Sequence, residues 1–178
     1  MQIPMRPARE QDLPAIVTLM NAAFRGGGEH RGWSTEADYI SGTRTSESLL
    51  REEIASQAQF FVVDADAPSR IRGCVSLKQL SPEKWYLGSL TVDPAQQNSG
   101  FGRELLAAAE DYLVSQGASV IEMTVVQLRH ALISWYERRG YHLTGATRPF
   151  PYGDSRIGTP LRDDLSFVVL EKLLETVR

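Results

Sequence analysis

The residues Leu90-Thr91-Val92-Asp93-Pro94-Ala95-Gln96-Gln97-Asn98-Ser99-Gly100-Phe101-Gly102-Arg103 bring a strand end, a turn and a helix start into close succession. Backbone N–H groups in such a segment point at a common spot. A helix start has unpaired donors and the positive end of the helix dipole, and glycines let an anion approach the backbone with no Cβ in the way. This is a way to hold a diphosphate without many lysines. The segment is not a P-loop, which needs Gly-x-x-x-x-Gly-Lys-Ser/Thr, nor the Gly-x-Gly-x-x-Gly dinucleotide fingerprint. What stands is Gln97-x-x-Gly100-x-Gly102.

Other side chains capable of chemistry are sparse. Glu122 interrupts an apolar strand (Val120, Ile121, Met123), where it is either costly if buried without purpose or a solvent-facing residue on a half-exposed strand. His130 and His142 read as structural or exposed, and the three histidines have no metal-ligand spacing, so no metal is expected. The lone Cys74 cannot form an intrachain disulfide and reads as a small buried hydrophobe. No Ser-His-Asp or Cys-His arrangement is evident.

The elements that must position these residues follow from hydrophobic periodicity. After an extended start at Gln2 to Arg6, Leu13, Ile16, Val17, Met20 and Phe24 mark one face of a helix that Gly26-Gly27-Gly28 ends. Thr35-Glu36-Ala37-Asp38 has the form of a capping box and predicts a short helical turn through Tyr39 and Ile40; a further helix is expected over Ser46 to Ser56. Phe60 to Val63, Ile71 to Lys78 and Trp85 to Val92 read as strands. The helix after the glycine turn carries Phe101, Leu105, Ala109 and Leu113 on one stripe and stops at Gly117. Val120 to Val126 is a strand, Arg129 to Arg139 a helix capped by Gly140, and Tyr141 to Thr147 and Leu165 to Leu170 are the final strands, separated by a proline-rich loop. Neither regular βα alternation nor an all-β pattern fits this order, so the expected class is a mixed α+β sheet domain.

A chain of 178 residues with 42% hydrophobic and 23% charged side chains suits one domain, 1–178, with a sizeable core. The formal charge of −3 lacks the positive field that nonspecific nucleic-acid binding requires, so no nucleic-acid partner is expected. No apolar run approaches bilayer length and the first residues lack a signal-peptide pattern, so no membrane partner and a cytoplasmic location are expected.

The Gln97-x-x-Gly100-x-Gly102 pattern, opening a helix after a strand, resembles the acetyl-CoA pyrophosphate loop of the GNAT superfamily of N-acetyltransferases. Downstream, Ser134-Trp135-Tyr136-Glu137-Arg138-Arg139-Gly140-Tyr141 is similar to the family's aliphatic-Tyr-Glu-x-x-Gly-aromatic signature. The resemblance is specific over Trp85 to Tyr141, and the earlier helix and strands fit the family by pattern. It implies a GNAT-like three-layer fold, with a central twisted mixed β-sheet flanked by helices, and acetyl-CoA as co-substrate.

Carried over residue by residue, the resemblance implies that backbone groups of Leu90, Thr91 and Val92 pair with the pantetheine amides like an added strand. Gln97, Asn98, Ser99, Gly100, Phe101 and Gly102 would surround the pyrophosphate, with Arg103 beside it as a charge-assisted donor. Arg129 stands where many members of the family carry Asn; it would meet a phosphate or the substrate, or simply cap the strand-to-helix turn. Tyr136 matches the family tyrosine near the thioester sulfur and is the expected general acid; on spacing alone it would pair with Leu132 on a buried helix stripe. The base stays open among Glu122, Glu29, His30, Glu36 and a water relay.

In the GNAT fold the segment after the first helix forms one wall of the acceptor site, here with Glu29, His30, Trp33 and Glu36, and the loop with Phe150 and Tyr152 would form the other. The expected activity is direct acetyl transfer to a primary amine of a small molecule or peptide. The alternative is a non-catalytic acyl-CoA-binding sensor or interaction module. A homodimer is an open expectation, because sheet edges in such domains often pair.

Overall fold

The computed structural model describes residues 2–26 and 35–175. The expected Glu29, His30 and Trp33 of the acceptor wall lie outside the described residues. The chain order is β1 (Arg6–Pro7), α1 (Leu13–Arg25), β2 (Ile40–Ser41), α2 (Glu47–Ala55), β3 (Gln59–Asp64), β4 (Ile71–Gln79), β5 (Lys84–Val92), α3 (Phe101–Ser115), β6 (Val120–Val126), α4 (His130–Glu137), β7 (His142–Pro149), β8 (Thr159–Pro160) and β9 (Ser166–Leu173). Seven strands form one sheet in the order β1-β3-β4-β5-β6-β9-β7, and β2 pairs with β8 in a separate two-stranded ribbon. The class is α+β with a mixed sheet, as the periodicity indicated.

Alternation along the central strands explains the layers. Phe60, Val62 and Cys74 pack with Leu13, Ile16 and Met20 of α1 on one face, whereas Phe61, Val75 and Leu77 pack with Leu106, Ala109 and Leu113 of α3 on the other. Strands covered on both faces read as apolar runs, which is why Phe60-Phe61-Val62-Val63 shows no alternation. Gly73 allows the closest helix approach: a Cβ there would lie 2.8 Å from Cε1 of Phe101.

One local expectation changes. Thr35 Oγ1 accepts from the Ala37 N–H, but the chain makes only a turn at Glu36 to Tyr39 before Ile40 enters β2, because pairing with Thr159 and Pro160 draws it into the ribbon. β9 inserts between β6 and β7, antiparallel to both, and leaves β7 exposed along its length at the sheet margin.

The feature that makes a site is a fork between β5 and β6. They pair in parallel only from Lys84–Val120 to Tyr86–Glu122 and then part. Past that point β6 stays paired with β9 as far as Val126, while β5 stays with β4. A β-bulge sets Ser89 and Leu90 against Val75, and Ser89 takes a left-handed φ of 51°. Such a bulge bends its strand and re-aims the following side chains.

Candidate active site

Two cavities open on either side of the fork. The first, about 410 Å³, lies between the end of β5, the glycine turn and α4, and is lined by Leu90, Val92, Gln97, Asn98, Gly100, Gly102, Arg103, Leu132, Trp135, Tyr136, Arg138 and Arg139. The turn is a local product of the sequence. Asp93 accepts from the Ala95 N–H, Ser99 Oγ donates to the Gln96 carbonyl at 2.6 Å, and Asn98 and Gly100 take left-handed φ values of 67° and 85°. Gly100 is the N-cap of α3 and offers no side-chain acceptor, so the first-turn N–H groups stay open toward the cleft. A Cβ on Gly102 would meet only Val92 at 3.5 Å and Trp135 at 3.9 Å, so its absence leaves the floor of the cleft low.

Three arginines converge here. The Arg139 guanidinium lies 3.8 Å above the Trp135 ring and donates to the Trp135 carbonyl at 2.7 Å, while its buried Nε has no hydrogen-bond partner. Burial, and then the neighbouring Arg138 and Arg103, push its pKa down. None of the three makes an ion pair among the described residues. Cations held together without a carboxylate, next to a helix start, fit a ligand with several negative charges, as the diphosphate of acetyl-CoA has. Arg138 and Arg139 were not singled out from the sequence. The available signal was the basic doublet inside the Tyr136 to Gly140 signature.

The second cavity, about 320 Å³, lies on the other side of the fork and is lined by Phe24, Glu36, Arg44, Tyr86, Gly88, Ser89, Leu90, Thr124, Arg129, Leu132, Tyr136 and Phe167. Leu90, Leu132 and Tyr136 belong to both cavities. Tyr86 donates to or accepts from Thr124 Oγ1 at 2.7 Å, a side-chain bridge where the strands have just ceased to pair. Gly88 makes room for that tyrosine, since a Cβ would lie 2.8 Å from its Cε1.

Tyr136 is buried between the rings of Trp135 (centroids 5.1 Å apart) and Tyr141 (5.5 Å). Its hydroxyl has no hydrogen-bond partner among the described residues. Burial pushes its pKa upward, so the phenol stays protonated and can donate.

Other expected site residues take different places. The Thr91 side chain is buried, with Oγ1 on the Ser89 carbonyl at 2.7 Å, and Phe101 packs in the core with Val63 and Leu105. With Ser99, they leave only backbone for the cleft. Arg129 lines the second cavity rather than the first and pairs with Glu36 at 3.3 Å. Glu36 also binds Arg25 at 2.5 Å, so one carboxylate is shared by two buried arginines.

Glu122 lines neither cavity and is not solvent-facing, being 3% exposed. It lies 2.7 Å from Lys84 and 2.5 Å from Arg148, and although burial alone would raise its carboxyl, the two cations hold it below the usual range. This is an ion triad tying β5, β6 and β7 together.

Phe150 and Tyr152 also leave the expected acceptor wall. Phe150 is buried with Ile40, Val126 and Leu165, and the Tyr152 hydroxyl accepts from the Leu165 N–H at 2.8 Å. Phe167, stacked on Phe150 at 5.7 Å, is the member of this aromatic cluster that reaches the cavity, a residue absent from the sequence-derived set. Among the described residues no group of three or more His, Cys, Asp and Glu side chains is placed to hold a metal, and no helix is long and apolar enough to cross a membrane.

Comparison with known proteins agrees with this geometry. Residues 15–141 match the family model described as the acetyltransferase (GNAT) family. The chain is 30% identical over 134 residues to a mycothiol acetyltransferase of Gordonia bronchialis, an alignment covering 75% of this chain and 41% of that protein. The chain thus spans less than half the length of this curated relative. Among solved structures, the ribosomal-protein-S18-alanine N-acetyltransferase of Escherichia coli superposes with a TM-score of 0.68 at 17% identity, over 98% of this chain and 95% of that one. A GNAT family acetyltransferase from Elizabethkingia anophelis with acetyl-CoA bound superposes with a TM-score of 0.63 at 14% identity, over 97% and 99% of the two chains. With a forked mixed sheet, a glycine turn at the head of α3 and a family match across most of its length, the chain belongs to the GNAT acetyltransferase family.

Proposed function

We propose that this chain is an acetyl-CoA-dependent N-acetyltransferase that moves the acetyl group directly to a primary amine of a small molecule or peptide. The observation that carries this reading is the position of Tyr136 on the wall common to both cavities. Acetyl-CoA, when bound, supplies an activated acetyl thioester and a thiolate leaving group.

Arg103, Arg138, Arg139 and the first-turn N–H groups of α3 bind the diphosphate from one side of the cleft. The edge of β5 that β6 abandons after Tyr86 receives the pantetheine arm as a sheet receives an added strand, and its N–H groups polarise the thioester carbonyl. Tyr136 donates its proton to the departing sulfur as the new C–N bond forms and the C–S bond breaks. An amine with an ordinary pKa of about 10.4 must be neutral to attack. Glu36, the carboxylate lining the acceptor side among the described residues, is engaged by Arg25 and Arg129, which favours a water relay for the amine proton.

The experiment is acetyl-CoA-dependent thiol release across a panel of amines, amino acids and peptide N-termini, with Tyr136→Phe beside the unaltered protein. Release with at least one acceptor and a turnover loss of about 10²- to 10⁴-fold in Tyr136→Phe, with acetyl-CoA affinity retained, is the expected result. Absence of release with every acceptor would remove the transferase reading. Parallel loss of affinity and turnover, or no change in either, would remove the acid role of Tyr136.

A further inference from the structure

Among the described residues, the acceptor-side cavity is lined by two arginines, Arg44 and Arg129, and one carboxylate, Glu36. Arg44 lines it, lies 5.4 Å over the Phe24 ring, and makes no ion pair among the described residues. Glu36, the carboxylate that lines the same cavity, is already bound by Arg25 and Arg129. Among the described residues, Arg25 and Arg129 therefore share one carboxylate while Arg44 stands beside them without an ion pair. Arg25 feels both Arg44 and Arg129 as repelling neighbours, and its buried Nε has no hydrogen-bond partner. Glu53, which does not line the cavity, also feels Arg44 as a neighbouring positive charge, and burial raises its carboxyl.

The described part of this wall disfavours a polycationic acceptor, because Arg44 repels it and Glu36 is already engaged. We propose that the acceptor carries a carboxylate close to its amine, that the carboxylate seats on Arg44 at the Phe24 end of the cavity, and that this seating turns the amine toward Tyr136. The amine half of this statement rests on the acetyl-transfer reading; the carboxylate half rests on Arg44 and the charge around it. Phe24, Tyr86 and Phe167 give the remainder of the acceptor an apolar wall. The α-carboxylate of a free amino acid and the side-chain carboxylate of an acidic residue at a peptide N-terminus supply the same chemistry.

Calorimetric binding without acetyl-CoA tests it. The probes are L-phenylalanine, L-methionine, L-leucine and L-glutamate, their α-carboxamides, and dipeptide amides beginning with Asp or Glu, set against the intact protein, Arg44→Gln and Arg44→Lys. A hydrogen-bonded charge pair in a partly buried site is worth roughly one to two orders of magnitude in affinity. At least one free acid is expected to bind about 10-fold or more tightly than its amide; tight binding confined to the acidic dipeptide amides would assign the carboxylate to a peptide and uphold the same chemistry. Arg44→Gln should erase the preference and Arg44→Lys should restore part of it. Equal or tighter binding of neutral amides, a preference that survives Arg44→Gln, or no binding by any probe would overturn the proposal. Acid preference without thiol release in the activity experiment would overturn acetyl transfer and leave the carboxylate seat standing.

Discussion

The two cavities that meet at Tyr136 are built in different ways. The wall of the first comes from one continuous stretch, Leu90 to Arg103, completed by α4 and the two arginines that follow it. The second is assembled from Phe24, Glu36, Arg44, Tyr86, Thr124, Arg129 and Phe167, which are scattered over most of the chain. A diphosphate can be held by backbone N–H groups and a few nearby cations, so a local segment suffices to recognise it. An acceptor is recognised by side chains whose positions depend on how distant elements pack. The first wall therefore suits a ligand shared across a family, and the second is free to differ from one member to the next.

Tyr136→Phe breaks the comparison at its junction and has the largest expected effect, the turnover loss of about 10²- to 10⁴-fold given above. Because burial raises the pKa of this phenol, the donor stays protonated past its ordinary value of about 10, and a pH–rate profile should show no alkaline decline from Tyr136 up to that pH. Glu36→Gln acts on the acceptor side alone. It strips the shared counter-ion from Arg25 and Arg129, and breaking such a buried cluster should cost about 3–5 kcal/mol in a urea melt. A loss below about 1 kcal/mol would mean that solvent already screens the pair.

Arg139→Gln acts on the cofactor side alone. Acetyl-CoA affinity should fall about 10-fold while the acceptor KM stays unchanged, the reverse of the pattern expected for Arg44→Gln. If both constants move together in either variant, the two cavities are not separable units.

Cys74 supplies the smallest effect and a check on integrity. Full burial pushes its thiol from 9.0 up to about 12, so a disulfide reagent at pH 8 should leave it untouched until urea unfolds the chain. A raised acid pKa in the folded state means this contribution to stability is intact below 9.0 and declines as pH rises from there toward 12.

Most strands and helices were legible because their patterns are local. Val120 to Val126 has the bounds expected of it, and Phe101, Leu105, Ala109 and Leu113 all face the core. The short β2–β8 ribbon was not legible, because two residues of strand carry too little pattern to outweigh a capping box. The place of Glu122, left open between burial and solvent, was not legible for a related reason. Its partners Lys84 and Arg148 lie on other strands, and no spacing along β6 announces them.

By itself the sequence determined the glycine turn, the helix start beneath it and the place of Tyr136 on the α4 signature, since each depends on residues within a few positions of one another. Tertiary structure alone decided the fork, because a left-handed Ser89 and the divergence of β5 from β6 arise from pairing with strands on opposite sides. It also decided the electrostatics. Arg129 lies far along the chain from Arg25 and Glu36, and only packing brings the three together so that Glu36 is engaged by both arginines.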